Sequence, residues 1–194
     1  MSLIDTARHA DTDTPISGLL AGRWSPRAFD PTAELSTDEL HALLEAARWA
    51  PSAYNAQPWR FIVARRGSSA FDVIVDKLTG FNQTWVPAAA AVIVNVAVVS
   101  DETGKERPTA IYDLGQAVAH LSLQAQHDGL HTHQMTGFDK EAVAEAFGLS
   151  EHELAFSIIA VGRLGDASTL PDQLREIETA PRARKALDAI VTHA

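Results

Sequence analysis

Residues 90–99 read Ala-Ala-Val-Ile-Val-Asn-Val-Ala-Val-Val, a run dense in β-branched side chains. A strand with one wet face alternates apolar and polar residues; this run does not, so it predicts a strand covered on both faces. Such a strand needs a layer on either side. Upstream, Trp59-Arg60-Phe61-Ile62-Val63 reads as another strand, and a helix is expected over Ala70–Leu78, stopping at Gly80. Earlier still, Ser36-Thr37-Asp38-Glu39 is a capping box, a Ser with a Glu three residues on. The helix it opens should bury Leu40, Leu43, Leu44 and Ala47, spaced i, i+3, i+4, i+7, and end at Pro51. A short helix is expected over Ile16–Ala21, ending at Gly22. Downstream, Asp101–Pro108 is a polar connection. Thr109–His127 then has a helical period, with a stripe of Ile111, Leu114, Val118 and Leu121 and a stop at Gly129. Leu130–Met135 reads as a short strand, Asp139 caps a helix through Phe147 with Gly148 after it, and Ala155–Gly162 is a second strand of the buried type. From Pro171 the chain reads as a polar tail with a basic cluster, Arg182, Arg184 and Lys185. This order of elements predicts an α+β or three-layer α/β domain, not a bundle or a sandwich. No repeat or long linker divides the 194 residues, so a single domain over 1–194 is expected, with 1–14 loose and 171–194 an extension.

Composition narrows the function. The sequence is 46% apolar and 21% charged, as globular chains are. Its net charge of −9 argues against nucleic acid as the main partner, while leaving room for a local cationic pocket. The absence of cysteine excludes disulfides, thiolate metal sites and thiol nucleophiles. The first twenty residues carry Asp5, Asp11 and Asp13 and lack the basic start and apolar stretch of a signal peptide. The longest apolar run, Val86 to Val94, is well short of the roughly twenty residues a membrane span needs. A soluble, cytoplasmic protein with no membrane or nucleic-acid partner is expected.

No Gly-x-Gly-x-x-Gly, phosphate-loop or Gly-x-Ser-x-Gly motif occurs. A phosphorylated cofactor would have to be held by side-chain cations and scattered backbone amides. Two constellations supply such groups. Arg23-Trp24-Ser25-Pro26-Arg27 puts two arginines around a serine just after a helix stop. Arginine offers a fixed fork of donors that suits phosphate, and serine adds a neutral donor; the alternative is a surface turn with solvated arginines. Ala50-Pro51-Ser52-Ala53-Tyr54-Asn55-Ala56-Gln57-Pro58-Trp59 joins a helix end to a strand start and carries three hydrogen-bonding side chains. It is either a ligand loop or a proline-rich turn that caps the helix.

Taken together, Arg-x-Ser-x-Arg, a capped helix and Ala-Pro-Ser-x-x-Asn-x-Gln-Pro-Trp resemble the N-terminal half of the nitroreductase family. Phe81-Asn82, Met135-Thr136-Gly137-Phe138-Asp139 and Arg182-Ala183-Arg184-Lys185 extend the resemblance in weaker form over residues 16–190. The resemblance implies a three-layer α/β/α sandwich with a mixed central sheet, and a homodimer with FMN at the subunit interface. It implies that Arg23, Trp24 and Ser25, with Arg182 and Arg184, surround the phosphate and ribityl end, and that Arg27 approaches the pyrimidine edge of the ring. Asn82 would bond the ring's polar edge. Pro51, Ser52 and Asn55 would come from the other subunit, and Thr136 and Gly137 would offer backbone N–H groups near N5. The implied activity is hydride transfer in ping-pong fashion from NADH or NADPH, a transient donor, through the flavin to a small electron-poor acceptor such as a nitroaromatic, quinone or enal. No catalytic side chain is required, since the flavin carries the electrons. A protein that stores or senses flavin without turnover would carry the same residues. His131-Thr132-His133-Gln134-Met135 departs from the family's more apolar stretch, and Trp85 stands where some members have a lysine. His131 and His133 share one strand face and could chelate, but no third ligand stands out and no metal is expected. A histidine at the pocket as a proton donor, or Tyr54 or Trp85 stacked on a flat substrate, remains open at this point.

Overall fold

A computed structural model describes residues 8–192. In chain order these form α1 (Gly18–Gly22), α2 (Thr37–Arg48), β1 (Trp59–Arg65), α3 (Ser69–Asp76), α4 (Asn82–Trp85), β2 (Ala91–Val98), α5 (Ala110–His127), β3 (His131–Met135), α6 (Lys140–Phe147), β4 (Glu153–Gly162) and α7 (Asp172–Thr179). The capping box is made in full: Ser36 Oγ accepts from the Glu39 N–H and the Glu39 carboxylate accepts from the Ser36 N–H. The side chain of Asp139 caps α6, and Gly148 ends it in the left-handed region at φ 64°.

The four strands pair in the order β1-β2-β4-β3. β2 is buried along its length except at Val98, as its composition predicts. Its side chains divide between two cores. Val92, Val94 and Val96 pack with Ile74, Leu78 and Val143, against α3, α4 and α6. Ala91, Ile93 and Ala97 pack with Leu40, Leu43, Leu114 and Leu121, against α2 and α5. The result is the expected three-layer arrangement, helices on both faces of one sheet. Asn95 is the polar residue buried within β2, and its Nδ2 donates to Ser157 Oγ of β4 at 3.0 Å, beside a one-residue register shift.

Several expectations need correction. Every strand pairing among the described residues is antiparallel, not mixed. β2 and β3 do run in the same direction, joined by α5 as a crossover, but β4 comes between them and is antiparallel to both. The tail after Pro171 is not merely polar: it contains α7, which buries Leu174 and Glu178 one turn apart. Residues 1–7 of the segment read as loose lie outside the described residues; of the rest, the Ala10 N–H donates to the Ala21 carbonyl at 2.9 Å and residues 11–14 are exposed. Ile111 was expected in the α5 stripe and is 42% exposed; α5 buries Ala110, Leu114, Ala117, Val118 and Leu121 instead, a face turned by about one position. Leu44 is half-buried. Trp85 is 2% exposed and stacks on Phe29 in the core, so it is not a surface for a flat substrate.

Candidate functional site

After α1, the chain from 23 to 28 is pinned at both ends. The Arg23 N–H caps α1 on the Leu19 carbonyl, and the Phe29 region pairs with the chain just beyond β4, with the Asp30 N–H on Arg163 O and the Gly165 N–H on Ala28 O. Trp24, Pro26 and Ala28 are buried, whereas Arg23, Ser25 and Arg27 are half-buried. This period of two turns Arg-x-Ser-x-Arg into a row of donors on one side of the segment. Arg23 and Ser25 are in direct contact, guanidinium to Oγ at 3.2 Å.

Other parts of the chain complete a cleft of about 210 Å³ around that row. Arg8, Arg182 and Arg184 join Arg23 and Arg27 in its lining, and Glu178 is the one acid there. Burial, then the neighbouring charges of Arg182 and Arg184, push the Arg23 guanidinium below its ordinary value. Burial and the charges of Arg184 and Arg8 do the same to Arg182. Arginines that depress one another in this way are a site short of negative charge. Arg182 is also a strut, donating to the carbonyls of Arg8 (2.7 Å), Ala21 (2.6 Å) and Arg23 (2.9 Å). Arg8 donates to the carbonyls of Glu178 and Ala180, and its guanidinium lies 4.3 Å from the Trp24 ring centroid.

A second group assembles where β3 ends. Asn82, at the start of α4, donates to the Gly137 carbonyl at 3.1 Å, and the Thr79 N–H donates to the same oxygen at 2.9 Å. A Cβ at position 137 would lie 2.7 Å from Asn82 Nδ2, so this contact requires glycine. Thr136 beside it is exposed. β3 links this group to the arginine row: His133 Nδ1 lies 2.9 Å from the Pro26 carbonyl, and from His133 to Thr136 the strand spans about 10 Å.

The loop after α2 stands apart from both groups. Ser52 Oγ accepts from the Gln57 N–H at 3.0 Å, and the Ala53 N–H donates to Asp113 of α5 at 3.3 Å. Tyr54, Asn55 and Gln57 have φ near +50°, which costs a non-glycine residue about 1 kcal/mol or more. The sidechains of Tyr54 and Asn55 are exposed, and Pro51 is exposed too. Neither Ser52 nor Asn55 lines the arginine cleft. Sequence reasoning thus found the arginines and singled out His133 without its contact to Pro26, but missed Arg8 and Glu178. A spacing of four between Leu174 and Glu178 was the available sign of the last.

Comparison with known proteins identifies the family. The model of the Nitroreductase family matches residues 20–78 and 67–163, most of the chain. A crystal structure described as the oxidoreductase containing FMN superposes with a TM-score of 0.89 at 34% identity, covering 94% of this chain and 93% of that one. The Bacillus subtilis (strain 168) protein YdgI is 30% identical over 185 residues, 76% of this chain and 88% of YdgI. The major NAD(P)H-flavin oxidoreductase of Aliivibrio fischeri is 35% identical over 82 residues, 41% of this chain and 37% of that protein. With the arginine row, the glycine turn and the three-layer fold in place, the chain belongs to the nitroreductase family.

Proposed function

We propose that this chain is an FMN-dependent oxidoreductase that takes hydride from NADH or NADPH and passes it to a small electron-poor acceptor, such as a nitroaromatic, quinone or enal, as a homodimer. The observation that carries the reading is the arginine cleft, where five guanidinium groups and a single carboxylate line one pocket. The donor set fits a phosphate monoester, with forked cations from Arg23 and Arg184 and the neutral hydroxyl of Ser25, while Arg27 at the far end of the row faces the pyrimidine edge of the ring. Arg182 contributes field more than contact, since three of its hydrogen bonds go to backbone carbonyls. Trp24 backs the row from the buried side.

Bound FMN supplies the redox chemistry, accepting hydride from the nicotinamide and giving it to the acceptor. The chain orients and polarises. Thr136 and Gly137 offer backbone N–H groups to the ring, with the turn fixed by Asn82. Pro51, Ser52 and Asn55 reach the ring of the partner's site, which accounts for their distance from the arginine row within one chain and for the strained, exposed loop. Donor and acceptor bind in succession over one face in a ping-pong cycle, with which the lack of a dinucleotide turn in the sequence is consistent, since the nicotinamide need only bind transiently.

The test is an absorbance titration with FMN, followed by NADH or NADPH without oxygen. Uptake of FMN and bleaching of its bands are expected. Bands that never bleach would leave a flavin carrier or sensor, and no uptake would overturn the assignment. Arg23→Ala should weaken FMN retention by about 2 kcal/mol and Asn55→Ala by about 1 kcal/mol, since a charged contact outweighs a neutral one. Equal flavin content in wild type and Arg23→Ala would remove Arg23 from the site.

A further inference from the structure

The peptide group between Pro26 and Arg27 is gripped at both ends. Its carbonyl lies 2.9 Å from Nδ1 of His133. A carbonyl only accepts, so the imidazole proton sits on Nδ1 and donates. Its N–H donates to Oε1 of Glu178 at 2.8 Å, and the Ala28 N–H donates to the same oxygen at 3.0 Å. The two side chains come from elements far apart in sequence, β3 and α7. Each is itself held: the His133 ring lies 4.6 Å from that of Trp85, and the Glu178 carbonyl accepts from Arg8. Glu178 is 3% exposed. Its second oxygen is 3.7 Å from the Arg27 guanidinium, too long for a hydrogen bond.

A buried carboxylate at an anion site is paradoxical, since its charge opposes the ligand. Geometry resolves this. Arg23, Ser25 and Arg27 share one face only while the segment stays extended, and the clamped peptide is the one between Ser25 and Arg27. Resting on the flavin reading above, we propose that His133 and Glu178 are positioning residues, a two-sided clamp that fixes the direction in which Arg23 and Ser25 meet the phosphate of the cofactor and Arg27 its ring. Glu178 acts through the oxygen that receives two N–H groups, and its charge is the part that binding does not need.

Two pairs of variants separate geometry from charge. Glu178→Gln keeps an acceptor and removes the charge; Glu178→Ala removes both. His133→Asn keeps a donor near the place of Nδ1; His133→Phe keeps the ring and loses the donor. The measurement is the Kd of FMN by quenching of flavin fluorescence, with riboflavin, which lacks the phosphate, as the second ligand. The Kd of FMN should rise about tenfold in Glu178→Ala and His133→Phe. It should stay within about threefold of wild type, or fall, in Glu178→Gln, and His133→Asn should recover most of the loss. Riboflavin, which keeps only the ring contact of Arg27, should lose less, within about threefold. Equal losses in Glu178→Ala and Glu178→Gln would show that charge alone acts and overturn the clamp. Equal losses for riboflavin and FMN would reduce it to general support of the fold. Wild type that takes up no FMN would overturn the function proposed above and this inference with it, an outcome distinct from wild-type binding that the variants leave unaltered.

Discussion

His133 shows how much one side chain's surroundings decide. Burial, with the nearby charges of Arg27 and Arg23, pushes its imidazole down to about 4, against the pull of its bonds to the Pro26 and Ser25 backbone. Above pH 6.5 the ring is neutral in folded and unfolded chains alike. As the pH falls from 6.5 towards 4 the unfolded chain takes up the proton first, so the fold loses stability through that window. The loss should come to about 2 kcal/mol, allowing for the ring's partial exposure. Urea titrations at pH 7 and pH 4.5 check this: the drop should be smaller in His133→Asn, and an equal drop in both proteins would assign it to other groups. At this scale the sequence shows residue type but not surroundings. Arg23, Ser25 and Arg27 are legible because their chemistry and spacing both point to an anion. The role of His133 is not, and Glu178 is not at all, because their partners are backbone groups more than a hundred residues away and no spacing points to those contacts.

Elements were legible where the local signals were complete. The capping box at Ser36, the Asp139 cap with Gly148, and the apolar run at β2 each carry their own physical instruction, and each forms as expected. α7 was not legible, because its sequence, Asp-Gln-Leu-Arg-Glu-Ile-Glu-Thr, is polar apart from two residues and Ile177 is exposed. It is a helix held by burying Leu174 and by a carboxylate bonded to another element. A prediction belongs to the crossing of β4's extension with the arginine segment. A Cβ at Gly165 would lie 2.5 Å from the backbone carbon and oxygen of Phe29. Backbone cannot swing aside as a side chain can, so Gly165→Ala should move residues 28–30. We expect a loss of about 2–3 kcal/mol in urea denaturation and weaker FMN uptake, because the displaced segment continues into Arg27. Full stability in this variant would show that the crossing is looser than the structure has it.

At the scale of the whole molecule, the three layers were legible and the strand directions were not. Side-chain pattern says which faces are covered; it does not say that β4 will come between β2 and β3. Nor does the α5 stripe show its own edge. Ile111 and Tyr112 remain exposed at the end of α5 that the Ala53 bond ties to the strained loop, where Tyr54 and Trp49 are also exposed. An apolar surface of this kind suits the subunit contact proposed above. The 20.9 kDa chain should therefore sediment as a dimer. Tyr112→Glu should shift it towards monomer and weaken FMN binding together, as the loop of one subunit is withdrawn from the site of the other. A monomeric wild type that still holds FMN would make each site self-sufficient.

The place of β4 in the sheet has a consequence for synthesis. It is last of the four strands in the chain and third in the sheet, paired on both edges. While residues 153–162 are still in the ribosome, β2 and β3 have made the edges that will receive it and have nothing to put there. The nascent chain therefore carries open edges and two half-covered cores until β4 has emerged, and the arginine segment, which docks beside the end of β4, waits with them. A chain ordered in this way is most exposed to aggregation while β4 is missing from its place in the sheet.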